Sequence, residues 1–495
     1  HLSIRRQRQM CIRDSGCVVV MLYMYTQYDG NNTWMWVTLI LIIFLFICLY
    51  QPHLLKRKAT NIAIVLLVFI QQLVMIQNYH DTHMSIYERP IASMKEDNYN
   101  NAKLQHKFDQ LQREKDPFSR IEYLSFPAQN SPLIYGFRGI ALYSSLFNGD
   151  ILNYYDKTMQ IAQPIDKNSN YRFLGNRANL MALWNVQDRF KNPIDHNRPY
   201  GFEPQSTIKG KKNKYEHSSS TIDYPATHIT DKVYDNKKLK TPIEKEHAML
   251  KGVVLDDATP ATHKTEHNIN YKDQIQEEAD DARWNKTDKT LKVKEKNGGI
   301  DYTLPKSMTD KYKDLYFEIE LELQSPDKPH RVKLNEFTQN RSSLGYSYRR
   351  VVNPLTIRIK ADDKVRLNLP KGNYRYKLKG VYGEDYQALK TASRSVDRVK
   401  IKPTSHGYTF TKQPQDHGYL VIPTPYEKGM HATIDGKEAE VKKGNGIETV
   451  IPVKKGQKHI QLSYTPPYLY PLLILSGIGL ILAIGFTRFV RHKTK

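Results

Sequence analysis

Three long apolar runs interrupt an otherwise polar chain. Residues 34–50 read WMWVTLILIIFLFICLY, 63–76 read AIVLLVFIQQLVMI, and 468–490 read YLYPLLILSGIGLILAIGFTRFV. A helix rises about 1.5 Å per residue, so roughly 20 apolar residues cross a hydrocarbon layer. With its flanks each run reaches that length, which predicts membrane helices at 34–50, 62–77 and 467–490. A core helix of a soluble domain is shorter and usually carries charge along one edge. The first and third runs have uncharged cores and aromatic ends (Trp34, Trp36, Tyr50; Tyr468, Tyr470), as membrane-interface belts do. The second is shorter and holds Gln71 and Gln72, whose amides favour hydrogen bonds to neighbouring helices over lipid.

The segments between the runs set an expected topology. Lys56, Arg57 and Lys58 lie between the first two, and Arg488, Arg491, Lys493 and Lys495 close the chain, with 491–495 as a tail. The positive-inside rule places both groups in the cytoplasm and therefore residues 78–466 outside it. Within 78–190 the pattern is mixed α/β. Leu104, Phe108 and Leu111 recur at helical spacing inside a predicted helix over 86–116, which Pro117 ends. SRIEYLSF alternates as a strand, and NRANLMALWNV is amphipathic. Residues 191–312 are charged, poor in apolar side chains and read as loop-rich. One helix is signalled there: Thr241-Pro242-Ile243-Glu244 forms a capping box with Pro at the first helical position, and Gly252 marks the stop. From 313 to 466 short alternating segments between turn residues predict an antiparallel β-sandwich, with Asp435-Gly436 as a two-residue hairpin turn. The last strand, HIQLSY, runs through Pro466-Pro467 into the third span. The expected fold class is thus membrane α-helical spans plus an α+β extracytoplasmic region ending in an antiparallel β-sandwich.

Composition narrows the function. The chain has 495 residues, enough for two or three folding units, and its mean hydropathy of −0.61 says that most of it meets water. Lys and Arg number 74 against 51 Asp and Glu, a formal charge of +23. In a soluble protein that excess would suggest nucleic acid. On an exterior domain the matching polyanions are teichoic-acid phosphates and anionic lipid head groups, so a nucleic-acid partner is not expected. A solvated surface that keeps the domain soluble beside a charged wall accounts for the same excess equally well. The cysteines are Cys11, Cys17 and Cys48, none of them within 78–466. That region therefore has no disulfide, thiol nucleophile or thiolate metal site, a usage that suits a Gram-positive bacterium. The opening residues 1–16, HLSIRRQRQMCIRDSG, resemble a translated sequencing adapter rather than a leader, and Val18–Tyr25 reads as the end of an earlier helix.

The order FSRIEYL, GFRGIALYSSLFN, RANLMALWNVQDRF, PIEKEHAMLKGVV and GYLVIPTPYEKGMHATIDGKEAEV, closing with KKGQKHIQLSYTPPYLYPLLILSGIGL, resembles the C-terminal half of the YfhO family of bacterial membrane proteins. The resemblance runs from residue 17 to the end and is weakest across 200–312. It implies a multi-pass glycosyltransferase of the GT-C architecture in the cell membrane. Such an enzyme takes a polyprenyl-phosphate sugar as donor and decorates lipoteichoic acid or another anionic cell-wall polymer outside the cell. The catalytic carboxylate it implies belongs to a first exterior loop that precedes this sequence, so no catalytic residue is carried over.

Glycosyl transfer needs a carboxylate base, cationic groups for the departing phosphate and aromatic platforms for sugar rings. Arg138, Tyr143, Ser144, Ser145 and Asn148, within GFRGIALYSSLFN, form an aromatic and polar cluster suited to an acceptor groove. The competing reading, a strand and turn packed on a nearby helix, carries more weight. His80, Asp81 and His83 would need further ligands to hold a cation, and a solvated juxtamembrane turn explains them more simply, so no metal site is assigned. Glu277, Glu278, Asp280 and Asp281 read as a solvated acidic face. No Ser-nucleophile motif, Walker loop or dinucleotide fingerprint stands out, and the cofactor is left open. The alternative to an enzyme is a membrane-anchored module that binds anionic wall polymer without chemistry.

Overall fold

The computed structural model describes residues 38–493, except 39, 45–46, 48–50, 52, 54–56, 81–98, 125–129, 145, 147, 168–169, 194, 196, 212, 258–262 and 397. The chain divides into two compact units, His1–Glu96 and Asp97–Lys495.

In the first unit the expected second span is the helix Lys58–Tyr79, long and apolar enough to cross a membrane and without a buried side chain. The two glutamines inside its apolar run are partnered: Gln72 Nε2 donates to Gln71 Oε1 at 3.0 Å, and Gln71 Nε2 donates to Thr38 Oγ1 at 3.4 Å. Of the expected span at 34–50, residues 38, 40–44 and 47 are helical and the others lie outside the described residues. Asp81 and His83 lie outside them as well.

The second unit opens on the helix Ala102–Glu114, shorter than the expected 86–116, of which 86–98 lies outside the described residues. Asn101 starts it, its Oδ1 accepting from Lys103 N and Leu104 N at 3.1 and 3.2 Å. Leu104, Phe108 and Leu111 are its buried face, and the Phe108 ring meets Phe137 and Phe190 at 4.5 and 4.9 Å between centroids. They cover a four-stranded sheet in the order Arg120–Tyr123, Val186–Lys191, Lys214–Ser220, Phe202–Lys209, whose first pair is parallel and whose others are antiparallel.

Apart from two short two-stranded sheets, Leu142–Tyr143 with Asn170–Tyr171 and, in parallel, Val233–Asp235 with Val253–Leu255, the other described strands form two pairs of antiparallel sheets, each pair sharing one apolar core. In the first pair one sheet runs Gln276–Asp280, Gly298–Thr303, Lys364–Leu369, His330–Leu334, Phe337–Arg341. The other runs Ala282–Asn285, Thr290–Val293, Gly372–Glu384, Asp314–Ser325, Leu355–Lys360. Ile300, Leu315, Phe317, Val332, Leu367 and Val381 pack together between them. The second pair draws on residues 400–464 and on His228–Thr230, around Phe410, Leu420, Ile451 and Ile460.

Two expectations therefore change. The strands of 313–466 belong to two cores instead of one, and both cores recruit strands from before residue 313. The segment 191–312, expected to be loop-rich, supplies strands to several sheets. For three of these strands the physical reason is position: Phe202–Lys209, Gln276–Asp280 and Ala282–Asn285 each lie at the edge of their sheet and expose half or more of their side chains. An edge strand needs few apolar residues, and charge along it discourages pairing with other chains.

The helix Pro242–Lys251 forms where the capping box predicts it, with Thr241 Oγ1 accepting from Glu244 N at 3.2 Å. The Glu244 carboxylate reaches back to Lys240 N at 2.7 Å, one residue earlier than the standard box. This helix is locked to its surroundings by buried charge. Glu246 Oε1 accepts from Arg177 Nε at 2.6 Å, Asn179 Nδ2 bridges Glu246 and Glu384 at 3.1 and 2.8 Å, and His247 Nε2 meets Glu384 at 2.7 Å. Asp435 and Gly436 both take positive φ (49° and 80°), the backbone that a two-residue hairpin needs, between Met430–Ile434 and Lys437–Ala439. The chain closes on the helix Leu469–Lys493, apolar enough to cross a membrane and unburied over its candidate span.

Candidate functional site

The cluster expected in GFRGIALYSSLFN does not assemble around one groove. Arg138 is half-buried and bonds backbone: its Nε donates to Ser119 O and its Nη2 to Gln112 O, both at 3.2 Å, which fastens the segment to the first helix of the unit. Tyr143 lies in a two-residue strand, Leu142–Tyr143, and is exposed. Ser144 closes a local turn with Leu146 at 3.0 Å. Asn148 caps the short helix Gly149–Asn153 through Asp150 N at 2.9 Å and donates to Glu427 Oε1 at 2.6 Å. Ser145 lies outside the described residues. In the acidic run, Glu277 accepts from Tyr376 Oη at 3.0 Å and Asp280 pairs with Arg366 at 2.8 Å, while Glu278 is exposed. Among the described residues no group of three or more His, Cys, Asp or Glu is placed to hold a metal ion.

A cleft of about 510 Å³ opens elsewhere in the same unit, lined by residues 163–165 and 170–176, by Asp195 and Asn197, and by the strand Phe337–Arg341. Its first wall is stitched by amides. Gln163 Nε2 donates to Phe173 O at 2.6 Å and its Oε1 accepts from Arg172 N at 2.9 Å, so one side chain holds the two arms of 163–173 together. Gln339 Nε2 donates to Gln163 O and Asn340 N to Pro164 O, both at 2.8 Å, tying that segment to the neighbouring strand. The floor turns at Gly175 and Asn176, which have φ of 72° and 53°, a left-handed pair for which Gly and Asn are the suitable residues.

The polar groups facing this space are held from behind. Asn176 Oδ1 accepts from Arg189 Nη2 at 2.7 Å, and Arg189 is itself buried against Glu122. Asn197 Oδ1 accepts from Arg358 Nη1 at 2.8 Å, and Arg358 is buried against Asp314. Arg172 Nε donates to Asn170 Oδ1 at 2.8 Å; burial lowers the Arg172 pKa from its usual value. Burial also raises the Glu122 carboxyl, against the pull of Arg189. Such support fixes side-chain direction before a ligand arrives, which reduces the cost of ordering on binding.

The lining is chemically specific. Amides offer donors and acceptors together, which matches vicinal hydroxyls, and Phe173 and Phe337 add apolar surface for the C–H face of a ring. The charges on the lining are Arg172 against Asp195 and Glu336, so the cleft itself is not a cationic sink for phosphate. Sequence reasoning missed these residues. The available signal was the Asn-rich stretch NSNYRFLGNRAN, whose Gly175-Asn176 pair marks a turn; the facing residues on 195–197 and 336–340 come from far along the chain.

Helices long and apolar enough to span a membrane, joined to a large β-rich unit with a polar cleft, are the features of a membrane protein that carries a folded domain. The profile of the family described as bacterial membrane protein YfhO matches residues 9–476, and the chain belongs to that family. The YfhO protein of Bacillus subtilis (strain 168) is 28% identical over 489 residues, which take in 96% of this chain and 56% of that protein. The chain thus spans a little over half the length of that relative. Among solved structures, the arabinofuranosyltransferase AftD from mycobacteria matches 34% of this chain and 20% of its own at 12% identity with a TM-score of 0.15, too slight a likeness to carry an argument.

Proposed function

We propose that this chain is the acceptor-handling portion of a multi-pass membrane glycosyltransferase. In this reading residues 78–466 lie outside the cytoplasm. A polyprenyl-phosphate sugar is the donor, and lipoteichoic acid or another anionic polymer of a Gram-positive envelope is the acceptor. The observation that supports it is the cleft: amides locked in place by buried arginines, beside an aromatic surface, suit the hydroxyls of a sugar or polyol unit. The excess of 74 basic over 51 acidic residues lies largely outside that lining and supplies long-range attraction to the polymer's phosphates.

The test is equilibrium binding by the full chain in nanodiscs. Glycosylated and unglycosylated lipoteichoic acid are compared, with Asn176→Ala and Arg172→Ala as cleft variants. Binding is expected to prefer the unglycosylated polymer, whose polyol hydroxyls are free to accept a sugar, and to weaken about tenfold in each variant, a loss of about 1.4 kcal/mol. Raising salt should weaken both polymers alike by screening the general attraction. Equal binding of the two polymers, or variants that bind as the parent does, contradicts the reading.

A further inference from the structure

Leu133, Tyr143 and Leu146 are large apolar side chains left 76%, 43% and 90% exposed. Single exposed apolar residues are ordinary, but these belong to one locally braced edge. Asn130 Oδ1 accepts from Tyr143 N at 2.6 Å and its Nδ2 donates to Tyr143 O at 2.8 Å. That holds Tyr143 beside the start of the short helix Ser131–Tyr135, which carries Leu133. The Ser144 hydroxyl bonds both backbone groups of Leu146, whose side chain stands exposed.

This edge is fastened to the root of the final helix. Two residues past Leu146, Asn148 Nδ2 donates to Glu427 Oε1 at 2.6 Å. Glu427 belongs to a loop in which Gly429 O accepts from Thr465 N at 2.9 Å. The approach there is close enough that a Cβ on Gly429, whose φ is 101°, would meet Thr465 O and Pro467 Cδ. Thr465 leads through Pro466 and Pro467 to Tyr468 and Tyr470, which are 77% and 67% exposed at the start of the apolar helix. Tyrosines at such a junction mark the level of lipid head groups.

We propose that the edge carrying Leu133, Tyr143 and Leu146 is a second membrane contact, dipping into the boundary between head groups and acyl chains beside the point where the final helix enters. The ligand of this surface is a phospholipid bilayer. The folded unit then rests on the membrane at two places, which fixes its tilt. This inference does not depend on the cleft or on the proposed chemistry.

The experiment uses the full chain in nanodiscs, with Cys11, Cys17 and Cys48 replaced by serine. An environment-sensitive fluorophore is placed in turn at Leu133→Cys, Leu146→Cys and, as a solvent-exposed reference in the Ala282–Asn285 to Thr290–Val293 turn, Thr287→Cys. Lipids with brominated acyl chains are expected to quench the labels at 133 and 146 several-fold more than the label at 287, with blue-shifted emission at both. Quenching at 133 and 146 no greater than at 287 overturns the proposal. Blue-shifted emission without quenching by brominated lipid also overturns it, because the edge would then be covered by protein.

Discussion

Glu448 is 2% exposed, with Asn445 Nδ2 donating to its Oε2 at 2.6 Å. Burial pushes its carboxyl up from 4.5 to about 8, outweighing the Asn445 hydrogen bond and the charge of Arg120. A carboxyl whose folded pKa lies above its unfolded one holds its proton more tightly in the fold. Its contribution to stability is therefore full below the unfolded value and is lost as pH rises through about 8. The loss amounts to at most on the order of 5 kcal/mol. Melting of the detergent-solubilised chain should fall between about pH 4.5 and about pH 8, and Glu448→Gln, which keeps the shape without the charge, should remove most of that fall. An unchanged pH profile in the variant would count against a neutral Glu448. Nothing in GNGIETV singles this residue out, since its environment comes from Arg120 and other distant residues. The same limit explains Arg138: its charge and its aromatic neighbours suggested a groove, whereas its donors go to the carbonyls of Gln112 and Ser119.

Elements whose signals are local were legible. The helix Pro242–Lys251, the turn at Asp435-Gly436 and the buried stripe of Leu104, Phe108 and Leu111 each follow from residues within one or two turns of each other. Thr241→Ala removes an N-cap and should cost about 1 kcal/mol, most of which Thr241→Ser should restore; urea melts of the two variants measure it. Equal stability of both variants and the parent would mean that Glu244 and the packing of the helix carry its start alone. Elements whose identity depends on their neighbours were not legible. QEEAD and ARWN have the composition of loops and become strands because Gly298–Thr303 and Thr290–Val293 offer them open edges. Likewise, alternation identified the strands after residue 313 but could not say that they divide between two cores.

At the scale of the whole molecule, the apolar runs, the basic excess and the order of motifs were sufficient to place the chain in its family. The cleft was not, because its walls join residues 163–176 to residues 336–340. In the proposed function this unit is the acceptor-handling part of a transferase; the chain spans a little over half the length of its Bacillus subtilis relative. The most direct test is transfer of a labelled sugar from a synthetic polyprenyl-phosphate donor to lipoteichoic acid by the longer family protein in proteoliposomes, compared with its form altered at the positions matching Arg172 and Asn176. The account predicts transfer by the parent and, in the altered form, a KM for the acceptor raised about tenfold with kcat largely kept, the pattern of lost acceptor binding. Polymer binding without transfer from any polyprenyl-phosphate sugar would contradict it and leave a binding module in the enzyme's place.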